Sequence, residues 1–205
     1  MFIAPVCLIS AGLLMISNDL LDRGNVKTFF TKEFRGFHYK MDNYLQYAPI
    51  AAVYLINFTG YKSKNSFMER SIILAEAELM MLAMVTGLKQ VTHVLRPDGS
   101  DYLSFPSGHT AQAFVAATFL SREYWEKSPW IAVTGYTVAG VTGCMRMMNN
   151  KHWISDVLVG AGLGILSTNL AYMTHRYEWT KYRAKLALIP SVGSDIYGAS
   201  VFLSF

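Results

Sequence analysis

The sequence predicts an all-α protein: a six-helix transmembrane bundle with a short amphipathic helix after the first span and a β-hairpin tail. Three observations lead there. The 205 residues are 52% apolar and only 16% charged, a tilt beyond that of an ordinary soluble domain. Six apolar segments recur along the whole chain, separated by short polar loops. The polar residues able to do chemistry gather where those segments begin and end.

The segments are Phe2–Ser17, Tyr44–Tyr61, Ser71–Leu88, Thr110–Tyr124, Trp130–Cys144 and Ile154–Met173. A spanning helix needs about 20 apolar residues, and several of these fall short. Each alone fits the buried helix of a soluble bundle; six in succession favour a membrane bundle. Phe2–Ser17 has no Lys or Arg ahead of its apolar run and no small-residue cleavage site behind it, so it reads as a span rather than a secretory signal. Residues 18–43 mix charges with Phe at uneven spacing, which suits an amphipathic helix in the membrane interface or an ordinary loop helix. In the tail, Ala199, Val201, Leu203 and Phe205 alternate with other residues, the period of a strand and one arm of a hairpin around Gly193–Asp195.

No linker, low-complexity tract or internal repeat divides the chain, so residues 1–205 are expected to form one membrane-embedded domain. Cys7 and Cys144 lie in apolar stretches and read as buried, inert thiols. Glu76 and Glu78, in the third segment, read as reaching an interface. The run GAGLG at 160–164 reads as close helix packing. The net charge of +4 comes without a Lys/Arg run, which argues against nucleic acid and for loop charge or an anion site.

Three groups of residues point to that anion site. Lys89 and Arg96, in LKQVTHVLRP, are seven apart, two turns of a helix that Pro97 would stop. In SFPSGHT, residues 104–110, Pro106 suits the start of a new helix with Ser107, Gly108 and His109 in its first turn. Free backbone N–H groups and the positive end of the helix dipole then face whatever lies there, and glycine allows close approach: the build of a phosphate cradle. In RMMNNKHWISD, His152 and Asp156 are spaced i, i+4, so a carboxylate can orient an imidazole and leave its Nε2 as nucleophile or base. In an up-down bundle the four segment ends that carry these groups lie on one face.

These residues resemble the type 2 phosphatidic acid phosphatase superfamily, which includes lipid phosphate phosphatases, bacterial acid phosphatases and vanadium haloperoxidases. Its signature K-x6-RP, PSGH and SR-x5-H-x3-D stands here as Lys89 to Pro97, Pro106 to His109, and Arg146-x5-His152-x3-Asp156. One departure is Met145, where the family usually has Ser. The resemblance implies a metal-independent phosphatase without a cofactor. It implies that His152 attacks phosphorus and forms a phosphohistidine, Asp156 orients His152, and His109 protonates the leaving oxygen and then activates water. Lys89, Arg96, Arg146, Ser107 and the Gly108 N–H would bind the phosphate oxygens, which agrees with phosphoryl transfer as positioning plus charge stabilisation.

The expected substrate is a lipid-linked phosphate or diphosphate: phosphatidate, phosphatidylglycerol phosphate, a polyprenyl diphosphate or a phosphorylated glycolipid. The bilayer is the other expected partner; no obligatory protein partner is evident. Rival readings use the same residues: a soluble-type acid phosphatase, a vanadate haloperoxidase, or a non-enzymatic anion carrier. A metal site built from His109, His152 and Asp156 is disfavoured, because three nearby cations would repel the ion. With six spans the side that holds the termini carries nine Lys and Arg and the other side nine, of which Lys89, Arg96 and Arg146 belong to the anion site. The positive-inside rule then puts the termini in the cytoplasm and the site on the periplasmic face of a bacterial inner membrane.

Overall fold

The computed structural model describes residues 2–17, 23–181, 185–192 and 197–204. Their contacts divide the chain into two units, Met1–Ala171 and Tyr172–Phe205. The helices are α1 (Ile3–Ser17), α2 (Arg23–Glu33), α3 (Asp42–Leu45), α4 (Ala48–Phe58), α5 (Phe67–Thr92), α6 (Gly108–Tyr124), α7 (Pro129–Met148) and α8 (Ile154–Lys181). Each of the six apolar segments is therefore helical, and α2 supplies the short helix expected in residues 18–43.

Local sequence explains several boundaries. Ser66 opens α5 with a reciprocal cap: its hydroxyl accepts from the Glu69 N–H, and the Glu69 carboxylate accepts from the Ser66 N–H. Pro49 and Pro129 stand in the first turns of α4 and α7, where a missing N–H costs nothing. Among the described residues two helices, Phe67–Thr92 and Ile154–His175, are long and apolar enough to cross a membrane. Ile3–Ile16 and Ala48–Phe58 are apolar but shorter; the segment expected from Tyr44 begins its helix only at Ala48, behind the separate turn α3.

In the first unit α6 is the core helix, buried on nearly every face. Its alanines let neighbours approach: Ala113 and Ala117 pack with Ala139 of α7, with Phe114 and Tyr136 against them. The 160–164 glycines of α8 do the same for backbone. Gly160 faces the Ser107 carbonyl, Gly162 faces α1 at Pro5 and Ile9, and Gly164 faces the Ala111 carbonyl. A side chain at any of these would collide with main chain.

The outside of the bundle is apolar. Phe58 is 88% exposed, Val91 81% and Trp130 78%, and Leu55 and Leu79 are exposed as well. Cys7 and Cys144, expected to be buried, are exposed on α1 and α7; in this bundle apolar surroundings mark the outward face as much as the inward one. Glu78, expected to reach an interface, instead accepts a hydrogen bond from Gln112 of α6 at 2.5 Å.

The α4–α5 and α6–α7 loops lock together. Buried Glu123 accepts from the Asn65 backbone N–H at 3.0 Å and its side-chain amide at 2.7 Å, while Lys64 pairs with Glu126 at 2.6 Å. Beside them Arg70, 2% exposed, donates to Ser63 at 2.5 Å and stacks over Tyr54 at 4.8 Å. This lock marks one end of α5, whose 26 residues reach about 39 Å at 1.5 Å per residue; the candidate site lies at the other end. In the second unit β1 (Lys185–Val192) and β2 (Tyr197–Ser204) pair antiparallel, Lys185 opposite Ser204. The turn expected around Gly193–Asp195 lies outside the described residues.

Candidate active site

The helix that carries Lys89 stops sooner than the sequence implies. α5 ends at Thr92 because His93 adopts a left-handed conformation (φ 45°), so Lys89 stands in the last turn while Arg96 rides on the following loop. That loop is folded by its own polar groups. Asp98 accepts from the Ser100 N–H and hydroxyl at 3.0 and 2.7 Å and pairs with Lys151 at 2.5 Å. Asp101 accepts from the Leu103 N–H at 2.8 Å and pairs with Arg96 Nε at 2.7 Å. Gly99, at φ 75°, supplies the turn that brings these together. Lys89 Nζ donates to the Leu103 carbonyl. Asp98 and Asp101 thus shape the loop that aims Arg96.

Ser107 is the N-cap of α6, and Gly108 and His109 form its first turn. The Ser107 N–H donates to the Asp156 carbonyl at 3.0 Å, and its buried hydroxyl shares a hydrogen bond with Thr110 at 2.9 Å. The cradle expected over 106–109 is therefore pinned directly to the start of α8. His109 Nε2 lies 2.8 Å from Asn43 Oδ1.

Arg146 occupies the last turn of α7, and Asn150, at φ 55°, reverses the chain behind it. His152 sits on that reversal, ahead of α8, so it and Asp156 do not share a helix as the i, i+4 spacing implied. They face one another all the same, with His152 Nδ1 3.5 Å from Asp156 Oδ2. Asp156 is fully buried; Oδ2 also accepts from the Ser104 hydroxyl at 2.5 Å and the Trp153 N–H at 3.0 Å, and Oδ1 from Ser155 at 3.2 Å.

His152 Nε2 lies 3.2 Å from Arg96 Nη1. A guanidinium only donates, so Nε2 is the acceptor and the ring proton resides on Nδ1, toward Asp156. Burial pushes the His152 pKa down to about 4; the Asp156 contact opposes this, and the positive charges of Arg146 and Arg96 add to it. The imidazole is neutral at physiological pH, with its lone pair toward Arg96. Arg146 donates through Nη1 to Asp42 at 2.6 Å, and its Nε is buried without a hydrogen-bond partner.

The structure thus brings Lys89, Arg96, Ser107, Gly108, His109, Arg146, His152 and Asp156 together at one end of the helices, with Ser107 fully buried. The cations and His109 are partly open, and His152 and Asp156 are buried beneath them. Among the described residues, no three His, Cys, Asp or Glu side chains cluster as metal ligands would. Three participants escaped sequence reasoning: Ser104, Asp42 and Asn43. Ser104 stood in the quoted stretch with no local sign of its carboxylate partner. Asp42 and Asn43 lie 104 and 66 residues from the side chains they meet.

A profile of the PAP2 superfamily matches residues 86–180. The chain is 40% identical over 166 residues to a lipid A 1-phosphatase of Porphyromonas gingivalis, an alignment covering 80% of this chain and 36% of that protein. It is 28% identical over 139 residues to a lipid A 4'-phosphatase of Helicobacter pylori, covering 62% of this chain and 65% of that one. The chain therefore spans about a third of the first relative's length and just under two thirds of the second's. Two crystal structures share its fold. Aquifex aeolicus LpxE matches with a TM-score of 0.54 at 24% identity, covering 71% of this chain and 93% of that one. A transmembrane PAP2-type phosphatidylglycerolphosphate phosphatase from Bacillus subtilis matches with a TM-score of 0.58 at 18% identity, covering 90% and 100%. The residues matched to the PAP2 superfamily, 86–180, contain every residue of the three motifs, Lys89 to Asp156; the supporting contacts from α3 lie outside them.

Proposed function

We propose that the chain is an integral-membrane phosphatase that removes phosphate from a lipid-linked phosphate through a phosphohistidine, independently of metal. The observation that carries this reading is the state of His152: neutral, Nδ1–H toward a buried carboxylate, and Nε2 lone pair toward Arg96. That is the tautomer a nucleophilic imidazole needs.

Lys89, Arg96, Arg146, the Gly108 N–H and Ser107 hold the non-bridging oxygens and take up charge as it develops. His152 Nε2 forms the N–P bond as the P–O bond to the lipid breaks, and His109 gives the leaving oxygen its proton. His109 then takes a proton from water, which attacks phosphorus; the N–P bond breaks and inorganic phosphate departs. Asp156 stabilises the positive charge on His152 while phosphorus is attached, and Ser104 holds that carboxylate in place.

The exposed apolar side chains and the two long apolar helices support a bilayer setting; six spans, with the site on the periplasmic face of a bacterial inner membrane, are the reading of the segment pattern and the loop charges. Among the lipid candidates, the two curated relatives favour a phosphorylated glycolipid of the lipid A type. The test uses purified full-length chain and a panel of lipid A, phosphatidate, phosphatidylglycerol phosphate and a polyprenyl diphosphate, each with and without EDTA. Phosphate release from lipid A is expected to lead and to persist in chelator, with His152→Ala inactive on every substrate. Efficient hydrolysis of a water-soluble monoester with none of the lipids would overturn the lipid reading, and activity lost in EDTA and restored by zinc would overturn metal independence.

A further inference from the structure

We propose that the turn Asp42–Asn43 is a fourth part of the active site: Asp42 is a positioning residue that sets Arg146 for an incoming phosphate, and Asn43 does the same for His109. This rests on reading the cluster as a phosphate site. Both residues lie outside residues 86–180, the part matched to the superfamily, and no motif predicts them.

The physical case begins with burial. Asp42 is 1% exposed on a helix of only four residues. A carboxylate is costly to bury unless a partner compensates it, and the partner here is Arg146, at 2.6 Å. Asn43, next in the chain, places Oδ1 2.8 Å from His109 Nε2; as an acceptor it holds the ring proton on Nε2. α3 packs against α6 and α7, the helices that carry His109 and Arg146. The segment before it is tied to the end of α7, where the Asn149 side chain donates to the Tyr39 carbonyl at 2.9 Å.

Two opposite roles fit a carboxylate on a phosphate-binding arginine. A competitor would occupy the guanidinium as a phosphate does, whereas a positioner leaves part of it free. Asp42 engages Nη1, and Arg146 Nε remains a buried donor without a hydrogen-bond partner. Nε is closed off from solvent, so an incoming phosphate would meet the part of the guanidinium still open: the Arg146 side chain is 12% exposed, whereas the Asp42 side chain beneath it is 2% exposed and blocks none of that opening. The geometry therefore favours positioning.

The two roles differ in sign. Removing the Asp42 charge would tighten anion binding if Coulomb repulsion or competition ruled, and weaken it if Arg146 loses its orientation. Orthovanadate binding to the purified full-length chain is measured by calorimetry for wild type, Asp42→Asn, Asp42→Glu, Arg146→Ala and the Asp42→Asn/Arg146→Ala pair, with thermal unfolding alongside. We expect Asp42→Asn to weaken vanadate about tenfold, the scale of one charge-assisted hydrogen bond, and Asp42→Glu to recover part of that. In the Arg146→Ala background Asp42→Asn should add nothing further, as a residue acting through Arg146 requires. Unchanged or tighter binding in folded Asp42→Asn, or losses that simply add in the pair, would overturn the proposal. Failure of the wild type to bind vanadate would instead overturn the phosphate-site reading beneath it. For Asn43→Ala, turnover of an alkyl phosphate should fall more than that of p-nitrophenyl phosphate, whose leaving group needs less protonation; equal losses would remove Asn43 from the proposal.

Discussion

Gly160→Ala tests whether His152, the proposed nucleophile, and the 106–109 turn, the proposed phosphate cradle, are held in register by helix packing. A Cβ at Gly160 would lie 2.6 Å from the Ser107 carbonyl oxygen, about 0.8 Å inside an ordinary 3.4 Å contact. The atom it meets is main chain, so no side-chain rotation relieves the clash; α8 and the 106–109 turn must part. Overpacking of this kind costs about 1–3 kcal/mol. The kinetic cost should be larger, because Ser107 is part of the cradle while Gly160 lies one helical turn beyond Asp156. Displacing one against the other by nearly an ångström is the misplacement that lowers turnover about a hundredfold. Gly87→Ala is the control: nothing lies within 4 Å of its Cβ, and alanine in a helix is favoured over glycine by roughly 0.5–1 kcal/mol. Thermal unfolding in detergent and p-nitrophenyl phosphate hydrolysis, both relative to Gly87→Ala, read the two effects. A Gly160→Ala protein with wild-type turnover would refute the claim that this contact sets the register.

Two further outcomes follow from the same geometry. Because the His152 pKa is lowered to about 4 against an unfolded value of about 6.5, the unfolded chain takes up the proton first as pH falls. The His152 contribution to stability is thus intact above about 6.5 and lost as pH falls toward 4. NMR titration of the chain with labelled histidines, assigned by loss of the signal in His152→Ala, should show a midpoint well below 6.5, and a midpoint at the ordinary value would sink the argument from burial. In a background without Cys7 and Cys144, Ser100→Cys should react with a membrane-impermeant thiol reagent on intact spheroplasts and Lys62→Cys should not. The reverse pattern would place the site on the cytoplasmic face.

The grouping of the candidate residues was legible in the sequence because the three motifs place particular side chains at fixed spacings. Lys89, Arg96, Ser107–His109, Arg146, His152 and Asp156 were named from spacing and resemblance together, and they meet. What spacing conveyed poorly was the backbone that carries them. Arg96 was expected on a helix, but the residue before a proline avoids helical backbone, and His93 ends α5 three residues earlier still. His152 and Asp156 kept their contact without sharing a helix, since a turn ahead of an N-terminus can bring residues four apart as close as a helical turn does. Cys7 and Cys144 were misplaced because hydropathy reports an apolar surrounding and does not say whether that surrounding is protein. Asp42, Asn43 and Ser104 carry no local pattern; their partners are chosen by the fold.

The contact between Arg96 and His152 also bears on what the protein leaves alone. With a guanidinium N–H donated to it across 3.2 Å, the lone pair of the resting imidazole is occupied, and a buried, occupied lone pair is a poor target for stray electrophiles. An uncharged phosphotriester or an acylating reagent offers the guanidinium nothing in exchange. On the phosphatase reading proposed above a phosphate anion would, and drawing Arg96 onto its oxygens would uncover Nε2 as phosphorus arrives. Discrimination between charged and neutral esters would then act as a latch released by the correct visitor, ahead of any fit to the lipid itself.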